Sequence, residues 1–300
     1  MLISEKFESI KDLTEGENSY QKAELFKSEQ MIDFHTDSEL SYNDIIGMSL
    51  GLNVATEFYD VSGVILTRNS AIIGVALGRN LTEACTKAFD CNPVDALNST
   101  VTCTNKVTVE VARLFTENNL VVAPEFDKEA KDLLLKRSIK FVEIKTKFSE
   151  IKNFSNEEIK VTPFGILIQD RNCSELNKDT FKVVTKLKPT AEQIEDAVFA
   201  WKVAKYAKSN AIVLSKDFKT TSISQGISGS AIEYALDFAC DTSKESVLAS
   251  DLPLSLYDLK VAVQGRVSLL ILPSANKEFI AEADKSNLVV ITTGFNNLLG

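Results

Sequence analysis

Two stretches of this chain run through the same order of elements. VVAPEFDKEAKDLLLKRSIKFVEI from Val121 and LLILPSANKEFIAEADKSNLVVIT from Leu269 each read strand, Pro-bearing turn, helix, strand, with Pro124 and Pro273 lying 149 residues apart. Upstream, NSAIIGVALG from Asn69 precedes the helical LTEACTKAFDC, as SNAIVLSKD from Ser209 precedes AIEYALDFAC, an offset of 140 residues. Short segments follow these helices, VDAL at Val94 and VLASDL at Val247. A period this long excludes a solenoid, whose repeats are roughly 20–50 residues. Alternating strands and helices predict α/β/α layers with mixed sheets. The echo predicts two half-domains of common descent, residues 1–150 and 151–300, with the polar run Lys145–Thr162 as connector and Glu17–Lys27 as an entry loop.

One unit is legible in detail. Thr190 followed three residues later by Gln193 is a capping box, which satisfies two orphan amides at a helix start. Ile194, Ala197, Val198, Trp201 and Ala204 recur at helical spacing as an apolar stripe. Ser209-Asn210 is expected to close the helix. Ala211–Leu214 then reads as a short buried strand ended by a Lys216-Asp217 turn.

Composition narrows the functional classes. A net charge of −9 is the wrong sign for tracking a phosphate backbone, so no nucleic-acid partner is expected, though a local pocket can still hold a small anion. No apolar run approaches the roughly 20 residues that span a bilayer, and MLISEKFESIKDL carries no signal-peptide core. The expectation is a cytoplasmic protein without a membrane partner. Five cysteines without a CxxC pair and a single histidine suit reduced thiols and argue against a zinc site. His35, in a polar turn, reads as a solvated surface residue.

Motif by motif, the chain resembles the AICAR transformylase domain of the bifunctional purine-biosynthesis enzyme, over nearly its whole length from about Asp12. VVTKLKPTAEQIEDAVFAWKVAKYAKSNAIVLSKD, Val183–Asp217, is the most family-like run. Gly16, Glu17, Asn18 and Gln21 match an Arg-Tyr-Gly-Glu-Asn-Pro-His-Gln run, and LSYND at Leu40–Asp44 is similar to LSYNN. The resemblance implies two subdomains of cytidine-deaminase-like topology, a homodimer with sites built from both chains, and 10-formyltetrahydrofolate and a monovalent cation (K+) if the family chemistry is retained. It also implies a stand-alone homologue without the cyclohydrolase domain.

The departures fall at ligand-facing turns. In ILTRNSAIIGVA, Arg68 and Asn69 occupy the positions of the Lys-His pair to which the family's proton transfer is ascribed. Asparagine does not titrate and arginine stays protonated, so a group normally contributing about 10²–10⁴ in rate is lost. Thr14 and Glu15 replace a phosphate-contacting Arg-Tyr pair, Asn98 and Ser99 replace two glycines, and Ser230 replaces an arginine. SISQGISGS reads either as an anion nest or as a turn with N-cap serines. The retained ligand-binding candidates are Asn18, Arg68, Lys208, Ser209, Asn210 and Asp251. For Ser209, Asn210 and Asp251, helix termination and capping are equally good readings. The sequence therefore points to a noncatalytic or altered family member that binds a ribotide- or folate-like ligand, with an active AICAR formyltransferase as the alternative.

Overall fold

The structure is a computed structural model describing residues 8–28, 31–151, 157–172, 181–227, 230–296 and 298. An antiparallel pair, β1 (Ser9–Asp12) and β2 (Glu24–Phe26), precedes the edge strand β3 (Phe34–His35). Then come α1 (Tyr42–Ala55), β4 (Ser62–Arg68), β5 (Ala71–Gly78), α2 (Leu81–Cys91), α3 (Pro93–Ala96), β6 (Thr100–Cys103), α4 (Val109–Ala112), β7 (Leu120–Ala123), α5 (Lys128–Lys136) and β8 (Lys140–Ile144). Between the halves lie α6 (Phe148–Ile151), the hairpin β9 (Glu157–Thr162) and β10 (Gly165–Asp170), and β11 (Lys182–Val183). The second half runs α7 (Ala191–Ala204), β12 (Ile212–Lys216), β13 (Lys219–Ser224), α8 (Ala231–Ala239), β14 (Val247–Ser250), α9 (Leu256–Gln264), β15 (Leu269–Leu272), α10 (Lys277–Lys285) and β16 (Val289–Thr292).

Twelve strands form one continuous mixed sheet in the order β11-β16-β15-β14-β12-β13-β5-β4-β6-β7-β8-β3. In each half an antiparallel hairpin lies at the centre, three parallel strands continue outward, and a short antiparallel strand ends the edge. Corresponding elements begin about 150 residues apart throughout, as for β4 and β12 or α2 and α8. This corrects the 140-residue offset. Asn69–Gly78 carries β5, whereas Ser209–Asp217 carries β12, whose counterpart by position in the sheet is β4. Similar apolar content had matched the second strand of one hairpin to the first strand of the other.

The halves join where β13 meets β5, and backbone register is short there, with Lys219 opposite Ala76. Side chains complete the seam. Val75 N donates to Thr220 Oγ1 at 3.0 Å, and Gln225 Nε2 donates to the Ile72 carbonyl at 2.7 Å. Strand residues alternate between faces as the pleat requires. Ile65, Leu269 and Ile271 join one apolar core shared with α1, α6 and α7 across both halves. Val64 and Leu66 face α2, α4 and α5, while Leu270 and Leu272 face α8, α9 and α10.

Two helices explain how tightly the shared layer packs. In α1, Gly47 and Gly51 present one helical face to the Thr-bearing strands. A Cβ on Gly47 would come within 2.8 Å of Thr100 Oγ1, and one on Gly51 would overlap Thr102 Oγ1. The capping box of α7 is present, with Thr190 Oγ1 accepting from Gln193 N at 3.2 Å and Gln193 Oε1 from Thr190 N at 2.9 Å. Burial on α7 is broader than a stripe. Ile194 is half-buried, whereas Ala197–Trp201, Val203 and Ala204 are all buried. The helix ends at Ala204, before Ser209, because the chain turns through Lys205–Ala207 first. The expected connector Lys145–Thr162 contains α6 and β9, with 152–156 outside the described residues, and the Glu17–Lys27 loop contains β2.

Candidate functional site

The family-like motifs, scattered in sequence, meet at one end of the central strands. Asn43, Asp44, Arg68, Asn69, Asn98 and Ser99 border a polar cleft of about 130 Å³. Ser41 caps α1 in a capping box with Asp44, so the LSYND motif is a helix start aimed at this cleft. Asn43 Nδ2 donates to the Glu17 carbonyl at 3.1 Å, and Tyr42 N to the Glu15 carbonyl at 3.0 Å, which pins the Gly16–Gln21 loop beside it. Within that loop Asn18 uses its backbone N–H and its amide to hold Gln21 Oε1, both at 2.9 Å. Asn18 is thus engaged in shaping its own loop.

Arg68 ends β4, and Asn69 follows it. The Arg68 guanidinium is ion-paired with Asp95, whose N–H is capped by the Asn92 side chain. Asn69 is the first residue of the two-residue turn into β5 and has φ 53°. Asparagine is among the few side chains that enter this left-handed region readily. The side chain at 69 is therefore suited to the turn, and Arg68 meets any incoming anion already neutralised. Asp95 was missed from sequence. The Asn92-Pro93 dipeptide opening α3 is the signal that could have drawn attention to it.

The second half reaches the same turn. Lys208 Nζ donates to Ser70 Oγ at 3.0 Å, and the Lys208 carbonyl accepts from Gly226 N at 3.0 Å. Gly226 has φ 67°, a conformation glycine adopts without strain, so the SISQG loop folds back on the Lys208–Asn210 segment. Ser230 stands at the α8 N-cap without a side-chain cap hydrogen bond, and 228–229 lie outside the described residues. Asn210 has φ 31°, and Asp251 Oδ1 accepts from Ala211 N at 2.9 Å. Asp251 is fully buried and its Oδ2 has no hydrogen-bond partner. Burial pushes its carboxyl above the usual range, opposed by the Ser209 hydroxyl and the Ala211 N–H. On the α2/α8 face of the seam a cavity of about 310 Å³ is bordered by Asp95, Ser224, Gln225 and Tyr234. Gln225 Oε1 and Ser224 Oγ are buried without partners there. Arg68, Asn69 and Lys208 are thus one neighbourhood, with Ser209, Asn210 and Asp251 immediately behind it and Asn18 on the flanking loop.

The remaining residues singled out in the sequence are placed as follows. Cys85, Cys91, Cys103 and Cys240 are free thiols, and Cys173 lies outside the described residues. Burial pushes the Cys85 thiol up to about 12 and that of Cys91 to about 11. Among the described residues no cluster of His, Cys, Asp and Glu has the makings of a metal site. His35 is exposed on β3, and no described helix is long and apolar enough to cross a membrane.

The fold and site define a three-layer α/β protein with one continuous mixed sheet and a polar cleft at the ends of β4 and β6 in its first half. The chain belongs to the AICARFT/IMPCHase bienzyme family, whose model matches residues 2–233. It is 35% identical to the bifunctional purine biosynthesis protein PurH of Fusobacterium nucleatum over 95% of this chain and 58% of that protein. It is 32% identical to PurH of Thermoanaerobacter over 97% of this chain and 59% of the relative. The chain therefore spans about three fifths of the length of the curated relatives it matches.

Proposed function

We propose that this chain is an AICAR-transformylase-like protein of purine and one-carbon metabolism. In this reading it holds a ribotide- or folate-like ligand at the seam with little or no formyl transfer. The observation that carries the proposal is the state of the Arg68-Asn69 pair: Arg68 is committed to Asp95, and Asn69 sits at φ 53° in a turn. Neither side chain can accept and return a proton near neutral pH. Lys208 supplies a cation beside the Asn69-Ser70 turn, and Ser224 and Gln225 border the separate cavity on the α2/α8 face of the seam. The alternative, an active formyltransferase using 10-formyltetrahydrofolate and AICAR, is favoured by similarity to PurH over nearly the whole chain.

We further read residues 1–150 and 151–300 as duplicated, cytidine-deaminase-like subdomains, supported by their common strand order and constant element spacing. A homodimer fits the site and the surface. A cleft of about 130 Å³ is smaller than the roughly 300–1,000 Å³ of drug-sized ligand pockets, so a second chain would complete it. The β9–β10 hairpin exposes Ile159, Val161, Phe164, Ile166, Leu167 and Ile168, and a two-stranded hairpin is marginal unless packed. Light scattering of Phe164→Asp/Ile168→Asp against the parent should show loss of a dimer, and an unchanged mass would remove the hairpin from the interface. Asp251 and Ser209 suit a monovalent cation, since a buried carboxylate oxygen lacks a partner beside a hydroxyl. Such an ion would supply charge neutralisation for Asp251.

Formyl-transfer assays paired with calorimetric titration of AICAR nucleotide and of a reduced folate test the reading. Saturable heat with no turnover is the expected result. Turnover at the rate of an enzyme bearing the Lys-His pair would replace it with the formyltransferase reading, and no heat with either ligand would sink both.

A further inference from the structure

The cleft at the ends of β4 and β6 is walled mostly by neutral polar groups. Among the described residues that border it only Asp44 and Arg68 are charged, and each is matched by an opposite charge. Asp44 pairs with Lys140 at 3.0 Å, and Arg68 pairs with Asp95. Lys208 donates to Ser70 Oγ at 3.0 Å and does not border the cleft. What the cleft offers instead is amides: Asn69, Asn98 and Asn118 are exposed along its wall.

The carboxylate that occupies Arg68 is held in place. Asp95 Oδ1 takes the guanidinium, Oδ2 accepts from Asn92 Nδ2 at 2.9 Å, and the Asp95 N–H donates to Asn92 Oδ1 at 3.2 Å. Pro93, with its φ locked by the ring, stands between them at the start of α3. A phosphate arriving at Arg68 would therefore meet an anion already seated there and be repelled by it. The rim adds to this, since Glu15 and Glu17 lie on the loop pinned to α1 through Tyr42 N and Asn43 Nδ2. An exposed ion pair contributes little to stability. Its consequence here is for what the cleft can bind.

An asparagine amide offers both donors and an acceptor, which suits a hydroxyl, itself donor and acceptor. The volume of about 130 Å³ lies below that of drug-sized pockets. Asn98 and Ser99 also stand where the family resemblance places two glycines, so side chains narrow the cleft to the scale of a single sugar ring. Specificity is a difference of affinities, raised as much by repelling one ligand as by attracting another. We infer that the cleft takes the neutral sugar of an unphosphorylated riboside, an inference that rests on the ligand-holding function proposed for this chain. Asp95 is the specificity-determining residue, which sets the riboside above the phosphorylated ribotide.

Calorimetric titration with AICAR nucleotide, with its unphosphorylated riboside and with a reduced folate tests this. The parent should bind the riboside at least as tightly as the nucleotide. Asp95→Asn keeps the side chain's size while releasing Arg68, and should tighten the nucleotide about tenfold while leaving the riboside within about twofold. Asp95→Ser gives an independent variant with the same expected gain, and Asn98→Gly should weaken the riboside severalfold. Thermal melting establishes that each variant is folded. Tighter binding of the nucleotide than of the riboside by the parent would overturn the ligand class. An equal gain for both in Asp95→Asn would remove Asp95 as the determinant. Heat from the folate alone would overturn the riboside site and leave the proposed function standing, whereas heat from none of the three would overturn both.

Discussion

Position 69 has to serve a hairpin turn at φ 53° and, as the sequence resemblance implies, stands where the family has the histidine of its Lys-His pair. Histidine enters the left-handed region more readily than most residues, as asparagine does. Asn69→His therefore restores a titratable group without breaking the turn, and Arg68→Lys loosens the commitment to Asp95. We expect Arg68→Lys/Asn69→His to gain about 10²-fold or more in formyl transfer over the parent, measured in single-turnover assays. No gain would place the loss of chemistry elsewhere in the cleft. Asp251 gives a pH signature. Its carboxyl is raised by burial in the folded protein, so the native state holds its proton where the unfolded chain has released it. Its stabilisation is complete below the ordinary aspartate range and is lost as pH rises through the raised value. Asp251→Asn should flatten that limb of a stability–pH profile from chemical denaturation, and a parallel profile would assign the slope to other groups.

At the scale of elements, α1 shows why glycine can be structural inside a helix. Glycine costs about 1 kcal/mol relative to alanine in a helix interior, yet Gly51→Ala should destabilise, because the added methyl would overlap Thr102 Oγ1. Overpacking of this kind costs about 1–3 kcal/mol. Thr102→Ala should recover much of that loss in a double-mutant cycle read by denaturant midpoint. Additive effects would show that the helix shifts away from the sheet instead. The strand–helix rhythm, the α7 capping box and the paired strand–turn–helix–strand units were legible because each rests on neighbours in sequence. Burial of α7 was not, since the layer it shares with α1 takes in residues from both halves. The strand match at Asn69 and Ser209 failed for a related reason: two buried strands of one hairpin have the same apolar content, and only pairing order distinguishes them.

For the whole molecule, the junction between halves depends on a buried charged cluster. Glu57, at the end of α1, pairs with Lys205 at 3.1 Å and accepts from Tyr206 OH at 3.0 Å, while Lys202 Nζ donates to the Glu57 carbonyl at 2.8 Å. Burial and the neighbouring carboxylate raise the Tyr206 hydroxyl pKa, so it remains a donor. Removing one member of a buried pair costs about 3–5 kcal/mol, because the partner charge is left uncompensated. Glu57→Ala should reach that range in equilibrium unfolding, whereas the paired change Glu57→Gln/Lys205→Met should cost far less. Similar losses in both would point to packing as the source of stability. The candidate site was legible only in pieces. Arg68-Asn69, Lys208–Asn210 and Asp251 stand out by motif, but their gathering around one turn depends on the β13–β5 seam. Asp95 was signalled only by the Asn92-Pro93 dipeptide that opens α3.

The sequence by itself determined the α/β class, the recurring order of elements and the family. Each of these is written in periodicity, caps or residue identity, which act over a few neighbours along the chain. The tertiary structure alone decided that the halves share one twelve-stranded sheet. It also decided that Asp95 neutralises Arg68 and that Asp251 is buried with an unpartnered oxygen. Those are contacts between residues tens to hundreds of positions apart. They are set by which strands pair and which faces pack, and no local pattern encodes them.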